Sequence, residues 1–143
     1  MLPPDAGEVL KLGPPASGEV VFKLDPASAG TSCVVWMQTL LPGASIPPHR
    51  HLQAHEVLFI HKGQGRMMVA DRSFTVVPGV MVTVPPNTWQ SLRNTGTGTL
   101  QFIWMVTPPG IEQFLRELAR QGPTLDAAGF AQLGQQHGIE FRT

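Results

Sequence analysis

Three side chains within eight positions, His49, His51 and Glu56, are the ones in this chain whose types and spacing could do chemistry. They lie in the run GASIPPHRHLQAHEVLFIHKG, residues 43–63. If residues 47–51 are extended, His49 and His51 stand two apart and project from one face of a single strand. Glu56 reaches the same point if the chain turns tightly at residues 52–54 and returns as a strand from near His55. Two imidazoles and one carboxylate are the donor set of a site that holds a divalent metal and leaves coordination positions open. His55 precedes Glu56 by one residue and is expected to face the other way, and His61 near a turn is expected in solvent. His137 is expected at a helix end, where a partly cationic ring suits the C-terminal dipole.

Positioning these residues requires a rigid sheet scaffold, and the pattern of β-formers supplies one. Residues 9–12 and 19–24 read as short opening strands after a loose arm at 1–6. Residues 31–41 read as a long strand whose continuous apolar character predicts burial on both faces. In the stretch from His55 to His61, Glu56, Leu58 and Ile60 share one face and Val57 and Phe59 the other. Residues 66–70 and 73–77 form a hairpin around Asp71-Arg72. Residues 80–84, 88–94 and 99–107 complete a set of short strands broken by glycine and proline turns, as in a sandwich or barrel. On the strand at 88–94, Trp89 should turn outward while Gln90, Leu92 and Asn94 face inward. After Pro108-Pro109-Gly110, Ile111, Phe114, Leu115 and Leu118 form the stripe of an amphipathic helix that Gly122-Pro123 ends. A second helix is expected at residues 127–137, with Asp126 as N-cap, Leu125 packing on Phe130, and Gly138 as the left-handed residue after its end.

Composition narrows the function classes. With 143 residues, the chain suits one domain with a single core. Lys plus Arg equals Asp plus Glu at ten each, so no cationic excess is available for a nucleic acid or an anionic membrane. The start, MLPPDAGEVLKLGPP, resembles neither a signal peptide nor a membrane span, and a cytoplasmic location is expected. A single cysteine, Cys33, excludes a disulfide framework and is expected to be buried and inert. Met67, Met68, Met81 and Met105 are expected as core filler, and Phe102, Trp104 and Trp36 as barrel packing, whichever faces inward lining the pocket. Arg50 is expected to point outward, with contact to an anionic substrate as the alternative.

The pattern Gly43-x5-His49-x-His51-x4-Glu56-x6-Gly63 resembles the first cupin motif at every defined position. Gly79-x5-Pro85-x-Asn87-x2-Gln90-x3-Asn94 resembles the second, with Asn87 in place of a glycine and Gln90 in place of the family's fourth ligand, a histidine. The resemblance covers roughly residues 30–107 and extends, in the style of small quercetin-dioxygenase-like cupins, to the C-terminal helical segment. It implies an all-β double-stranded β-helix, a jelly-roll barrel over about residues 7–107, followed by short helices over about 110–138 within one domain, 1–143. It also implies one divalent transition metal, Fe, Mn, Ni, Zn or Cu, held by His49, His51, Glu56 and Gln90, with Glu56 as the catalytic base if it leaves the metal. Gln90 has two readings: an oxygen ligand, or an outer residue beside a three-ligand site.

The resemblance implies a small-molecule ligand or substrate, with a mononuclear metal enzyme of the dioxygenase or isomerase type acting on an enol, diketone or flavonol as the leading reading. The alternative is a non-catalytic ligand-binding or sensor cupin, so whether the protein is an enzyme stays open. A homodimer is expected, with the N-terminal strands as candidate interface.

Overall fold

The computed structural model describes residues 1–142. In chain order its elements are β1 (Glu8–Leu12), β2 (Gly18–Leu24), α1 (Pro26–Ala29), β3 (Val34–Leu40), β4 (Ser45–His51), β5 (His55–Lys62), β6 (Gly65–Val69), β7 (Arg72–Val76), β8 (Met81–Val84), β9 (Gln90–Asn94), β10 (Leu100–Thr107), α2 (Ile111–Gln121), α3 (Ala127–Gln136) and β11 (Ile139–Phe141). A 3-10 turn, Gly122–Thr124, joins the last two helices. The strands form two antiparallel sheets, a six-stranded one in the order β1-β2-β3-β10-β5-β8 and a five-stranded one in the order β11-β4-β9-β6-β7. This is the double-stranded β-helix, with short helices at its C-terminal end.

Period-two alternation builds the core. In β3 the residues alternate strictly between buried Val34, Trp36, Gln38 and Leu40 and half-exposed Val35, Met37 and Thr39. On β10, Leu100, Phe102, Trp104 and Val106 face inward, and on β5 Glu56, Leu58 and Ile60 do. Burial of β3 on both faces is therefore corrected: within one chain only its inner face is covered. Two other expectations are corrected with it. Met67 fills the core and Met68 is half-buried, but Met81 and Met105 stand on the outer side of the six-stranded sheet at 64% and 42% exposure. Cys33, just before β3 begins, is half-buried.

The helices close one end of the barrel. Ile111, Phe114 and Leu115 of α2 are buried there. Asp126 caps α3 by accepting from the Gly129 backbone N–H at 2.7 Å, and Gly138 takes φ 71° after its end. Strand β11 was not anticipated: it is three residues long and follows a helix with no alternating pattern to announce it. It pairs with β4, setting Ile139 opposite His51 and Phe141 opposite His49. Gly134, a weak residue for a helix interior, has its reason here: a Cβ on it would lie 2.7 Å from the Phe141 ring. On the opposite side, Arg116 of α2 ties the helix to Asp25 at 2.6 Å and to Glu8 at 3.0 Å. Asp25, the N-cap of α1, is held down to about 2 by the Ser28 hydroxyl and backbone N–H and by the Arg116 guanidinium, which outweigh its burial.

Candidate metal centre

Two neighbours and a turn fix the strand that carries the histidines. Pro47 and Pro48 have no N–H to donate, and the β4–β9 ladder slips between Ile46 and His49 before it resumes with His49 opposite Gln90. Beyond His51 the backbone N–H of Leu52 donates to the Gly138 carbonyl at 2.9 Å, and that of Asn87 to the His51 carbonyl at 2.6 Å. Asn87 does this at φ 61°, a conformation Asn tolerates better than most residues, so it serves where the related motif has glycine. Glu56 arrives from the other sheet: β5 lies between β10 and β8, with Glu56 opposite Val84 and Val106. The donors are thus contributed by both sheets.

His49, His51 and Glu56 are all buried, and one ligand atom from each lies within 4.8 Å of the others. His51 Nε2 and Glu56 Oε1 are 3.4 Å apart. Ligands about 2.0–2.2 Å from a common cation sit about 3.0–3.5 Å from one another, so the cluster needs at most a contraction of about 2 Å to hold one. Tautomer favours the same use. The Pro47 carbonyl, 2.9 Å from His49 Nδ1, can only accept, so Nδ1 carries the proton and Nε2 keeps its lone pair. The residues present fit a divalent cation.

Burial sets the protonation states. It lowers His49, against a smaller upward pull from the Pro47 carbonyl. It lowers His51 to about 3, with His49 adding to the effect. It pushes the Glu56 carboxyl up to about 8, against the Gln90 amide, which pulls it down. Without a cation, the His51–Glu56 contact therefore joins a neutral ring to a carboxylic acid and is no ion pair.

A pH window follows for the metal-free protein. Glu56 has a folded pKa of about 8, above its ordinary 4.5, so between these values the folded state binds the extra proton and stability falls as pH rises. His51 has a folded pKa of about 3, below its ordinary 6.5, so its contribution grows as pH rises between them. The two slopes oppose each other where they overlap. Because His49 is lowered as well, two histidine slopes outweigh the one from Glu56, and thermal melts in chelator should peak near pH 6.5, with loss of stability below it and again up to about pH 8. Metal binding must release the Glu56 proton, so affinity should gain up to about tenfold per pH unit below pH 8 and then level. A flat profile across pH 6.5–8 would show that Glu56 is already ionised.

Gln90, 1% exposed, turns its amide nitrogen to Glu56 Oε1 at 2.5 Å. Asn94 does not join the cluster, because its side chain bonds the Leu40 and Gly98 carbonyls and the Gly96 N–H. Trp89 faces outward as expected, lying between Arg50 and Arg142, whose guanidinium carbons are 4.9 and 4.4 Å from its ring centre. Arg50 also donates to Glu140 at 2.7 Å, so it braces β11 against β4 on the outer side. His55 and His61 are exposed, and His137, at the end of α3, is half-buried.

Sequence reasoning missed Gln38. It is 4% exposed and lines a cavity of about 60 Å³ together with Trp36, Trp104, His49, His51 and Glu56. The Trp36 indole N–H donates to Gln38 Oε1 at 3.2 Å, and because indole nitrogen only donates, the amide orientation is fixed. Gln38 Nε2 is then the donor end of the amide. The only signal in the sequence was a polar residue at an inward position of an otherwise apolar strand. A second cavity of about 380 Å³ lies outside the first, between the 52–54 turn, Pro108-Pro109-Gly110 and the end of α3. His51 and Ile111 border both cavities, so one of the three donors is reached from the outer space as well.

Residues 36–106 match the family model described as "Cupin domain". Auxin-binding protein 1 of Arabidopsis thaliana is 29% identical over 92 residues, 58% of this chain and 46% of that protein. The chain spans about half the length of the curated relatives it matches. Among solved structures, a sugar phosphate isomerase from Silicibacter pomeroyi superposes with TM-score 0.68 at 16% identity, covering 77% of this chain and 76% of that one. A protein described as a predicted oxalate decarboxylase from Thermotoga maritima gives TM-score 0.61 at 20% identity, over 64% of this chain and 81% of that one. At these identities the two structures share the fold.

Proposed function

We propose, from the premise that this chain belongs to the cupin family, that it holds one divalent transition metal through His49, His51 and Glu56 and acts on a small oxygen-bearing organic molecule. The observation that carries this reading is the convergence of three buried donors from two sheets on one small, largely apolar cavity. A bound cation would supply Lewis acidity at its open positions and, if redox-active, a means of activating dioxygen. The chain's own residues supply the rest. Glu56 could take a proton if it leaves the metal, since burial alone holds its carboxyl up at about 8, as isomerisation of an enol or ketone requires. Gln38 Nε2 offers a fixed donor to a substrate oxygen. Trp36, Trp104 and Ile111 exclude water.

A cavity of about 60 Å³ has room for a few atoms, so it suits a compact acid, enol or diketone better than a flavonol. Larger substrates would occupy the outer space, which His51 also borders. The reaction class is of the dioxygenase or isomerase type. A second reading, a non-catalytic small-ligand binder, is supported by relatives named for binding auxin. The experiment that separates them combines elemental analysis of protein purified without chelator with oxygen uptake and isomer formation on a panel of enols, diketones and keto acids. Stoichiometric metal with turnover is the expected result. Metal without turnover favours the binder, and a metal-free protein whose melting ignores added Zn(II), Mn(II) or Ni(II) ends both readings.

Gln90 belongs, in this proposal, beside the metal as the donor that steadies the Glu56 carboxylate, the outer of its two readings. Gln90→Leu removes the group that pulls the Glu56 pKa down, so metal affinity should fall about 10- to 100-fold near neutral pH. Competition titration against a chromophoric chelator measures it. Unchanged affinity would place the amide outside the chemistry.

A further inference from the structure

The cavity of about 380 Å³ is built unevenly. Val106, Pro108, Pro109 and Ile111 give it an apolar side, and Gln53, Gln136 and His137 a polar one. The polar side is a single patch, because the bond from the Leu52 N–H to the Gly138 carbonyl, 2.9 Å, ties the 52–54 turn to the end of α3. His51 borders the same cavity, so a molecule held at the metal donors can extend into it. At the roughly 30 Å³ that one water claims in the liquid, the space takes about a dozen non-hydrogen atoms, the size of a substituted ring.

Charge decides what that extension carries. Among the described residues no Lys or Arg lines either cavity. Arg50 is committed to Glu140 on the outer side of the five-stranded sheet, and Arg116 to Asp25 and Glu8. The start of α2 borders the space and would favour an anion, but the Glu112 carboxylate already holds that position, accepting the Gly110 N–H at 2.7 Å. α3 presents its opposite end, Gln136 and His137, where a helix carries partial negative charge. A phosphate or second carboxylate here would be stripped of water without an Arg or Lys to receive it. An ammonium fares no better, since no Asp or Glu lines this cavity among the described residues.

We propose that the substrate carries an uncharged, hydroxyl-bearing apolar tail, which lies on Pro108 and Pro109 and gives its hydroxyl to Gln53, Gln136 or His137; this rests on the metal centre proposed above. A hydroxyl both donates and accepts, and so do an amide and an imidazole, so the two sides match in either direction. The three side chains are then specificity-determining residues, because a site made to bond a hydroxyl disfavours the analogue without one. Gln53 and Gln136 are exposed and water competes for them, which keeps the preference to about 3- to 10-fold. The same charges exclude a phosphorylated substrate.

Calorimetry on the Zn(II)-loaded chain tests this with three probes that share a 2-oxo acid head: phenylpyruvate, 4-hydroxyphenylpyruvate and 4-carboxyphenylpyruvate. The hydroxyl probe should bind about 3- to 10-fold more tightly than phenylpyruvate, and the carboxyl probe at least about tenfold more weakly. At least one of Gln53→Leu, Gln136→Leu and His137→Phe should bring the ratio of the first two to about one. His137→Phe keeps the ring that packs on Phe114, 6.1 Å between centres, while removing its nitrogens, and near-UV dichroism checks each fold. A loss of packing alone would weaken both probes and leave their ratio unchanged. Elemental analysis of the same samples separates two kinds of failure. A chain that takes up no metal removes the metal centre and this inference with it. Metal-loaded protein that binds none of the probes, shows no hydroxyl preference, keeps that preference in all three variants, or accepts the carboxyl probe as tightly as phenylpyruvate overturns this inference alone.

Discussion

Replacing His49 or His51 with alanine should lower the metal retained through purification well below one per chain and remove most of the metal-dependent rise in melting temperature. A four-ligand zinc site binds with about 10–16 kcal/mol, roughly 3–4 kcal/mol per ligand, so one lost imidazole weakens binding about 10²–10³-fold. At a metal concentration a thousand times the dissociation constant, wild type gains about 4 kcal/mol, worth about 8–16 °C in a chain of this size. At the same metal concentration the variants should keep only about 0.4–1.4 kcal/mol of that gain, a shift of about 1–6 °C. The comparison separates ligation from packing, because a purely structural histidine would lower both melts and leave the difference between them intact. A His49→Ala protein that retains the full shift would remove His49 from the donor set.

That donor set was legible in the sequence because its geometry is local. The spacing of His49 and His51 needs only an extended strand, and the buried ends of β4 and β5 placed all three side chains where alternation puts them. The outward turn of Trp89 and the inward turn of Gln90, Leu92 and Asn94 followed from the same period. What could not be read was set by partners far along the chain. Gln38 became a cavity donor only because Trp36 claims its oxygen. β11 exists because β4 offers it an edge, and no pattern within three residues announces that. Met81 and Met105 looked like core because composition does not say which side of a sheet a residue occupies. The choice between the two roles of Gln90 was also beyond the sequence, since it depends on which end of the amide meets Glu56.

Trp104→Ala should be the most damaging single substitution outside the donor set. Trp104 is 2% exposed on β10, between β3 and β5, and packs against Trp36 and, edge-on, against Phe102, with ring centres 6.2 Å apart in both cases. Truncating a large aromatic residue in such a place costs about 3–5 kcal/mol, from lost burial and from the void left behind. In a chain of this size that is a fall of about 6–20 °C in melting temperature. The void would merge with the small cavity beside Glu56 and admit water. Scanning calorimetry with and without metal measures both consequences: a lower melt throughout, and a smaller metal-induced rise. A loss below about 1 kcal/mol would mean that the neighbouring aromatic rings can close over the gap.

The pairing of β4 with β11 has a consequence for biosynthesis. Arg50 and its partner Glu140 are separated by 90 positions, and at a ribosomal pace of about 5–20 residues per second roughly 5–20 s pass between their additions. During that interval the histidine strand has no neighbour on one side, and the helices that seal the pocket have not been made. A nascent chain therefore cannot trap a cation in a finished cage, and any ion held at His49, His51 and Glu56 would be drawn from whatever the folded product meets.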